Sequence, residues 1–202
     1  MTELFSVEDK VIVITGATGV LGRSMVRHFA REGAKIVLLG RDRKVGDEQV
    51  GEVEREGGSA IFLATDVTDK AVVERNHADI MRIYGRIDVL INGAGGNMPG
   101  ATIAPDQTLF DLDVEAMRRV VDLNLFGTVI PTLVFARAMV EQGSGSIINI
   151  SSESALRPLT RVAGYGVAKA GVVNLTTYMC TELARKVGSG LRTNATAPGF
   201  FL

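Results

Sequence analysis

The sequence predicts an α/β fold: a doubly wound parallel sheet between two helical layers, α/β/α. Three observations predict it. Short apolar runs alternate with longer amphipathic segments along the chain, the runs lack the period-2 alternation of half-exposed strands, and glycines punctuate the segment ends. Strands covered on both faces read as near-continuous Val, Ile and Leu. Strand–helix–strand repeats joined by right-handed crossovers build a parallel sheet.

The first predicted strand, Val11–Ile14, leads into a helix over Val20–Glu32 that Gly33 ends. Strand Lys35–Leu39 and helix Val45–Glu56 follow, closed by Gly57. Next come strand Ala60–Ala64, helix Lys70–Tyr84 with Gly85 as its stop, and strand Ile87–Ile91. The stretch from Gly95 to Thr108 is the longest irregular segment. It follows a strand, so it falls at the carboxyl edge of the sheet, where ligands bind in such folds. Helix Val114–Gln142 (ended by Gly143), strand Ser146–Ile150, helix Tyr165–Val187 and strand Leu191–Ala195 complete the pattern. No linker or low-complexity run divides residues 1–202, so one domain is expected.

Composition narrows the functional classes. Hydrophobic residues make up 46% and charged residues 22%, ordinary for a globular chain. A net charge of −1 gives no electrostatic ground for binding nucleic acid or an anionic membrane. No apolar stretch is expected to reach the ~20 residues of a transmembrane helix. MTELFSVEDK does not read as a leader, and Cys180 as sole cysteine excludes an intrachain disulfide. A cytoplasmic setting is expected, with Cys180 in core packing. His28 and His77 stand on helices away from any matching ligands, so no metal site is expected.

The first strand runs directly into Thr15-Gly16-Ala17-Thr18-Gly19-Val20-Leu21-Gly22 and then a helix. Glycines allow a tight turn and close backbone approach, and a helix N-terminus offers unpaired N–H groups to a pyrophosphate. This placement makes the turn a candidate dinucleotide site in a Rossmann-type sheet. The end of the second strand reads Leu39-Gly40-Arg41-Asp42-Arg43. An acidic residue there would hold the ribose hydroxyl of NAD, and an arginine accommodates the 2′-phosphate of NADP. Gly40 and Arg41 favour NADP(H), with NAD(H) possible. The alternatives are that Arg41 and Arg43 are solvated loop charges and that Asp42 caps a helix. Asp66-Val67 and Asn92-Gly93-Ala94-Gly95 end the third and fourth strands beside this turn. Asp66 can accept from an adenine amino group or cap a helix, and the small residues can seat a cofactor or simply turn the chain.

Tyr165 and Lys169 are four apart on a predicted helix, so phenol and ammonium share a face. A free phenol ionises near pH 10, and a neighbouring cation favours phenolate. Ser152 ends the fifth strand, and its hydroxyl can hold the same substrate oxygen. Asn124 lies inside a long helix, a poor place for Asn unless its side chain has a role.

With these residues the sequence resembles the classical short-chain dehydrogenase/reductases from Lys10 onward. The resemblance rests on the Thr-Gly turn, Asp66-Val67, the Asn92–Gly95 segment, Asn124, Ser152, Tyr165/Lys169 and Pro198-Gly199. It implies Tyr165 as acid/base, Lys169 as its partner and ribose ligand, Ser152 as carbonyl polariser, and Asn124 as holder of a relay water. It also implies that Pro198 and Gly199 touch the cofactor. Gly19 departs from the family's usual middle glycine, which falls at Val20, and Gly93 replaces a second Asn. A further strand and helix are expected beyond Leu202, missing from this chain. The two long helices resemble those that pair subunits, so a homo-oligomer, dimer or tetramer, is implied.

Finer resemblance runs to mannonate or fructuronate oxidoreductases, with gluconate 5-dehydrogenases as neighbours. It is carried by residues 91–97, 157–162 and 197–202. Asn97 can bind sugar hydroxyls, and Arg157 or Arg161 can pair with a carboxylate, unless the arginines are surface or subunit-contact groups. The small-molecule substrate expected is therefore a sugar acid. A 3-oxoacyl thioester reductase and a non-catalytic cofactor-binding scaffold are the alternatives.

Overall fold

In a computed structural model of the protein, described over residues 5–98 and 100–199, the chain forms a six-stranded sheet. Its strands are β1 Val11–Thr15, β2 Lys35–Gly40, β3 Ser59–Ala64, β4 Val89–Asn92, β5 Gly145–Ile150 and β6 Leu191–Thr196. All pairings are parallel, in the order β3-β2-β1-β4-β5-β6. The helices are α1 Val20–Arg31, α2 Arg43–Arg55, α3 Lys70–Tyr84, α4 Val114–Val121, α5 Gly127–Gln142 and α6 Ala163–Lys186. This is the Rossmann-type α/β fold, and the winding reverses between β1 and β4.

Alternate residues of the central strands feed two separate cores. Val11, Val13, Val37 and Leu39 meet Val73, Ile80, Phe135 and Met139 on one face. Ile12, Ile14, Ile36 and Leu38 meet Val26, Ala30 and Val53 on the other. Burial on both faces is why these strands read as apolar runs rather than alternating ones.

Local signals set the ends. The Asp42 carboxylate accepts from Val45 N at 3.0 Å, so α2 starts ahead of the expected Val45. Asp69 caps α3 in the same way, and Gly85 ends it with φ 70°. β4 starts at Val89 rather than Ile87. The backbone of Ile87 is bound by the Gln142 side chain, which donates to Ile87 O at 2.9 Å and accepts from its N–H at 3.0 Å.

Two expectations are corrected. The run Val114–Gln142 is long and apolar enough to cross a membrane by length and composition. It reads that way because it is a core helix: 56% of the relevant window is buried inside the protein, with Val134, Phe135, Ala138 and Met139 against the sheet. Cys180 is exposed, because the inward stripe of α6 runs through Val172, Thr176, Met179 and Leu183 and leaves residue 180 on the flank.

Candidate active site

A cleft of about 360 Å³ opens at the carboxyl ends of β1, β2 and β4, where the winding reverses. The positions read from the sequence meet there: Gly16, Thr18, Gly19, Val20, Leu21, Gly22, Arg41, Asp66, Val67, Gly93, Ala94 and Gly95. Gly40, read from the sequence as the position lacking a ribose carboxylate, lines it too, and Leu39, Thr65 and Leu123 complete the wall without having been singled out. Thr15 and Asn92 lie beneath it. The Thr15 hydroxyl accepts from the N–H groups of Gly93 and Ala94, both at 3.1 Å, and so binds β1 to the turn after β4.

The turn into α1 depends on close backbone approach. Gly16 has φ 68°, and a β-carbon on Gly22 would lie 2.3 Å from Gly16 O. Gly19 caps α1 without a side-chain bond, and no acidic residue stands in the first turn. The first-turn N–H groups therefore face the cleft with the positive end of the helix dipole, a fit for a pyrophosphate. Val20, 91% exposed, stands at the rim.

At the end of β2, a β-carbon on residue 40 would lie 2.9 Å from Thr18 Oγ1. A carboxylate-bearing residue would displace Thr18. Arg41 lines the cleft, whereas the Arg43 guanidinium lies over the Phe62 ring at 5.7 Å. Asp66 is not a helix cap. Its Oδ1 accepts from Thr68 N and Thr68 Oγ1 at 2.9 and 2.7 Å. Those bonds, the hydroxyl first, hold its carboxyl below the usual range, and Arg41 adds to the effect.

Beside the cleft, the π-helical turn Asp122–Phe126 interrupts the run from α4 to α5 and swings Asn124 into the interior. Asn124 Nδ2 donates to Gly96 O at 2.7 Å and Val120 O at 2.8 Å, while its Oδ1 accepts from Gly96 N at 2.9 Å. Both amide protons are thus taken by protein carbonyls, and a water held by Asn124 must donate to one of its oxygens.

Lys169, 4% exposed, donates from Nζ to Ile150 O at 2.7 Å and lies 5.6 Å from the Tyr165 ring centroid. Burial pushes its ammonium down to about 8. A β-carbon on Gly95 would be 3.3 Å from Lys169 Nζ, so this lysine abuts the cleft wall. The Ser151 hydroxyl donates to Lys169 O at 2.9 Å, tying α6 to the end of β5.

Tyr165 and Ser152 line a second pocket of about 410 Å³, with Glu153, Arg157, Leu159, Pro198 and Gly199 among its walls. Pro198 and Gly199, expected at the cofactor, stand here. The Ser152 oxygen accepts from Ser154 N at 3.2 Å, and its hydroxyl donates to no acceptor among the described residues. Arg157 lies 3.6 Å from Glu153. Asn97 and Arg161, read from the sequence as substrate groups, line neither pocket. Asn97 Nδ2 donates to Thr102 Oγ1 at 2.6 Å within its own loop, and Arg161 Nε donates to Ile103 O at 2.5 Å.

Sequence reasoning missed a buried polar chain under the site. Asn92 Nδ2 donates to Asn149 Oδ1 and Thr132 Oγ1, both at 2.8 Å, and Asn149 Nδ2 donates to Thr176 Oγ1 at 2.9 Å. The one available signal is Asn149 inside the apolar run Ile147-Ile148-Asn149-Ile150. Among the described residues no group of three His, Cys, Asp or Glu could hold a metal.

A fold and a site of this kind define a nicotinamide-dependent oxidoreductase, and comparison with known proteins gives the family. The short chain dehydrogenase model matches residues 10–202, and the chain belongs to that family. It acts on CH–OH groups with a nicotinamide cofactor. It is 40% identical to the uncharacterized oxidoreductase UxuB of Bacillus subtilis (strain 168), over 96% of this chain and 71% of that one. It is 34% identical to the 3-oxoacyl-[acyl-carrier-protein] reductase FabG of Thermotoga maritima, over 96% and 74%. A crystal structure with bound NAD from Haemophilus influenzae, provisionally described as a D-mannonate oxidoreductase, superposes with a TM-score of 0.90. That protein is 36% identical over 98% of this chain and 73% of its own.

Proposed function

We propose that the chain interconverts a keto sugar acid of the fructuronate type and its mannonate-type alcohol, preferring NADP(H) to NAD(H). One observation carries the reading: Tyr165 and Ser152 line the second pocket, while Lys169, one helical turn from Tyr165, abuts the cofactor cleft at Gly95. A substrate in one pocket and a nicotinamide in the other would meet at this boundary.

The bound nicotinamide supplies or accepts the hydride. Tyr165 exchanges the proton with the substrate oxygen, and Ser152 donates a hydrogen bond to that oxygen. Lys169 would hold the nicotinamide ribose from its place against Gly95. Asn124 holds the Gly96 backbone, and through an oxygen the relay water. Pro198 and Gly199 border the substrate side, where the nicotinamide would end. Arg157 at the mouth of the substrate pocket pairs with the substrate carboxylate.

The cofactor preference rests on Gly40, Arg41 and Asp42. The first carries no carboxylate and has the Thr18 side chain packed against it, the second lines the cleft, and the third is engaged as the cap of α2. NAD, bound in the Haemophilus relative, is accommodated more weakly. The FabG likeness favours a 3-oxoacyl thioester as second substrate class, and the charged Glu153 and Arg157 on the pocket wall disfavour it. Exposed Leu133 and Tyr178 flank a groove between α5 and α6 that fits pairing with a second copy. A cytoplasmic setting suits this chemistry.

The test is a parallel fluorescence titration with NADPH and NADH, followed by turnover of fructuronate. Arg41→Ala should weaken NADPH much more than NADH. Tyr165→Phe should lose turnover by orders of magnitude while still binding cofactor. Equal losses for the two cofactors, or near-normal turnover by Tyr165→Phe, refute the respective assignments.

A further inference from the structure

We infer that Arg161 is a positioning residue: it clamps the loop after β4 to the entrance of α6 and so holds the Tyr165 ring in place. The inference rests on the reading of Tyr165 as acid/base. Two reciprocal bonds make the clamp. Arg161 Nε donates to Ile103 O, and Ile103 N donates to Arg161 O at 3.0 Å. They join positions 58 residues apart in the chain.

Arg161 holds this geometry at φ 71°. Among the described residues, Asp9 is the only other non-glycine with positive φ. A side chain disfavours that region, and such residues persist where surrounding interactions over-determine them. Here the interactions are the two bonds to Ile103, one from the guanidinium and one to the Arg161 carbonyl.

The clamped loop has little freedom elsewhere. Asn124 grips it at Gly96, Asn97 bonds to Thr102, and the Gln107 side chain accepts from Ala104 N at 2.8 Å. Its Ala101 is buried against Ala116 and Val120 of α4, and Met98 and Tyr165 pack on that same cluster. The loop is therefore a wall for the Tyr165 ring. Arg161, four residues before Tyr165, fixes wall and ring to one another. Freed from Ile103, loop and α6 entrance would move separately, and the Tyr165 ring would lose the wall it packs on.

The experiment compares Arg161→Ala, Arg161→Gly and Arg161→Lys with the wild-type chain by three readouts. These are amide hydrogen exchange over Ala101–Gln107, NADPH affinity, and kcat and KM for fructuronate. Both Ala and Gly should speed exchange in the loop and lower kcat about 10- to 100-fold, as expected for a catalytic group displaced by a fraction of an ångström. NADPH affinity should stay within about twofold of wild type, since Arg161 does not line the cofactor cleft, and Lys, which keeps a donor, should recover part of the kcat. Wild-type exchange in Arg161→Ala overturns the clamp. Faster exchange with unchanged kcat overturns its link to Tyr165. An Arg161→Gly chain better than wild type would mean that relief of backbone strain, not the guanidinium, governs the loop. If the wild-type chain turns over no sugar acid, the substrate assignment fails and the exchange data still decide the clamp.

Discussion

Replacing Lys169 with Met should make the protein more stable and catalytically dead, in a pH-dependent way. Lys169 is nearly fully buried, and burial lowers its pKa from 10.5 to about 8. Each pKa unit is worth about 1.4 kcal/mol, so keeping this ammonium out of water costs about 3 kcal/mol near neutrality. Losing the charge-assisted Nζ bond to Ile150 O offsets about 2 kcal/mol of the gain. A net stabilisation of about 1 kcal/mol at pH 7 follows for Lys169→Met. The sign with pH is fixed by the depressed pKa. Between about pH 8 and pH 10.5 the unfolded chain holds the proton that the folded chain has released, so wild-type stability rises with pH there. Below pH 8 both states are protonated and the full cost persists. Urea unfolding of both proteins from about pH 7 to about pH 10 measures it, the difference between them cancelling the other titrating groups. Their stabilities should converge as pH rises through that window. A gap that stays constant would refute burial as the cause, and a destabilised Met variant at pH 7 would mean that the bond to Ile150 outweighs desolvation.

Two further outcomes test the scaffold. Gly22→Ala puts a methyl 2.3 Å from Gly16 O and 2.7 Å from Ala17 Cα, both backbone atoms that cannot step aside. It should abolish NADPH binding and destabilise the fold by about 1–3 kcal/mol, and a titration matching wild type would contradict the packing described. Asn149→Ala strips partners from Asn92 and Thr176 in the buried chain. A loss of about 1–3 kcal/mol in urea unfolding is expected; a loss under about 0.5 kcal/mol would show that chain to be unimportant for stability.

Strands and most positions lining the first cleft were legible because each rests on local chemistry. Val11–Thr15 is apolar because both its faces are covered, and Gly16 and Gly22 are small because backbone lies against them. That Tyr165 and Lys169 share a helix face follows from their spacing, whereas the roles given to them came from the family resemblance. What stayed hidden depends on partners distant in sequence. Nothing local says that Arg161 reaches Ile103, or that Asn92 finds Asn149 and Thr132. The π-helical turn at Asn124 was half legible: the residue looked out of place in a helix, but the extra residue in the turn leaves no pattern of its own. Ile87 fits a strand by composition, but the distant Gln142 side chain takes both of its backbone groups, and the ladder begins at Val89.

The strand order has a consequence for how such a protein can diversify. Arg41 follows β2 and Arg157 follows β5, with β1 and β4 between them. At roughly 4.8 Å per strand, the two strands they follow lie about 14 Å apart. Substitutions separated by more than about 7–10 Å usually act additively. On the proposed reading, in which Arg41 selects the coenzyme and Arg157 the substrate, the two choices can therefore drift independently in a lineage, one on each side of the β1–β4 pair. Only the groups gathered around Tyr165 and Lys169 must change together or not at all.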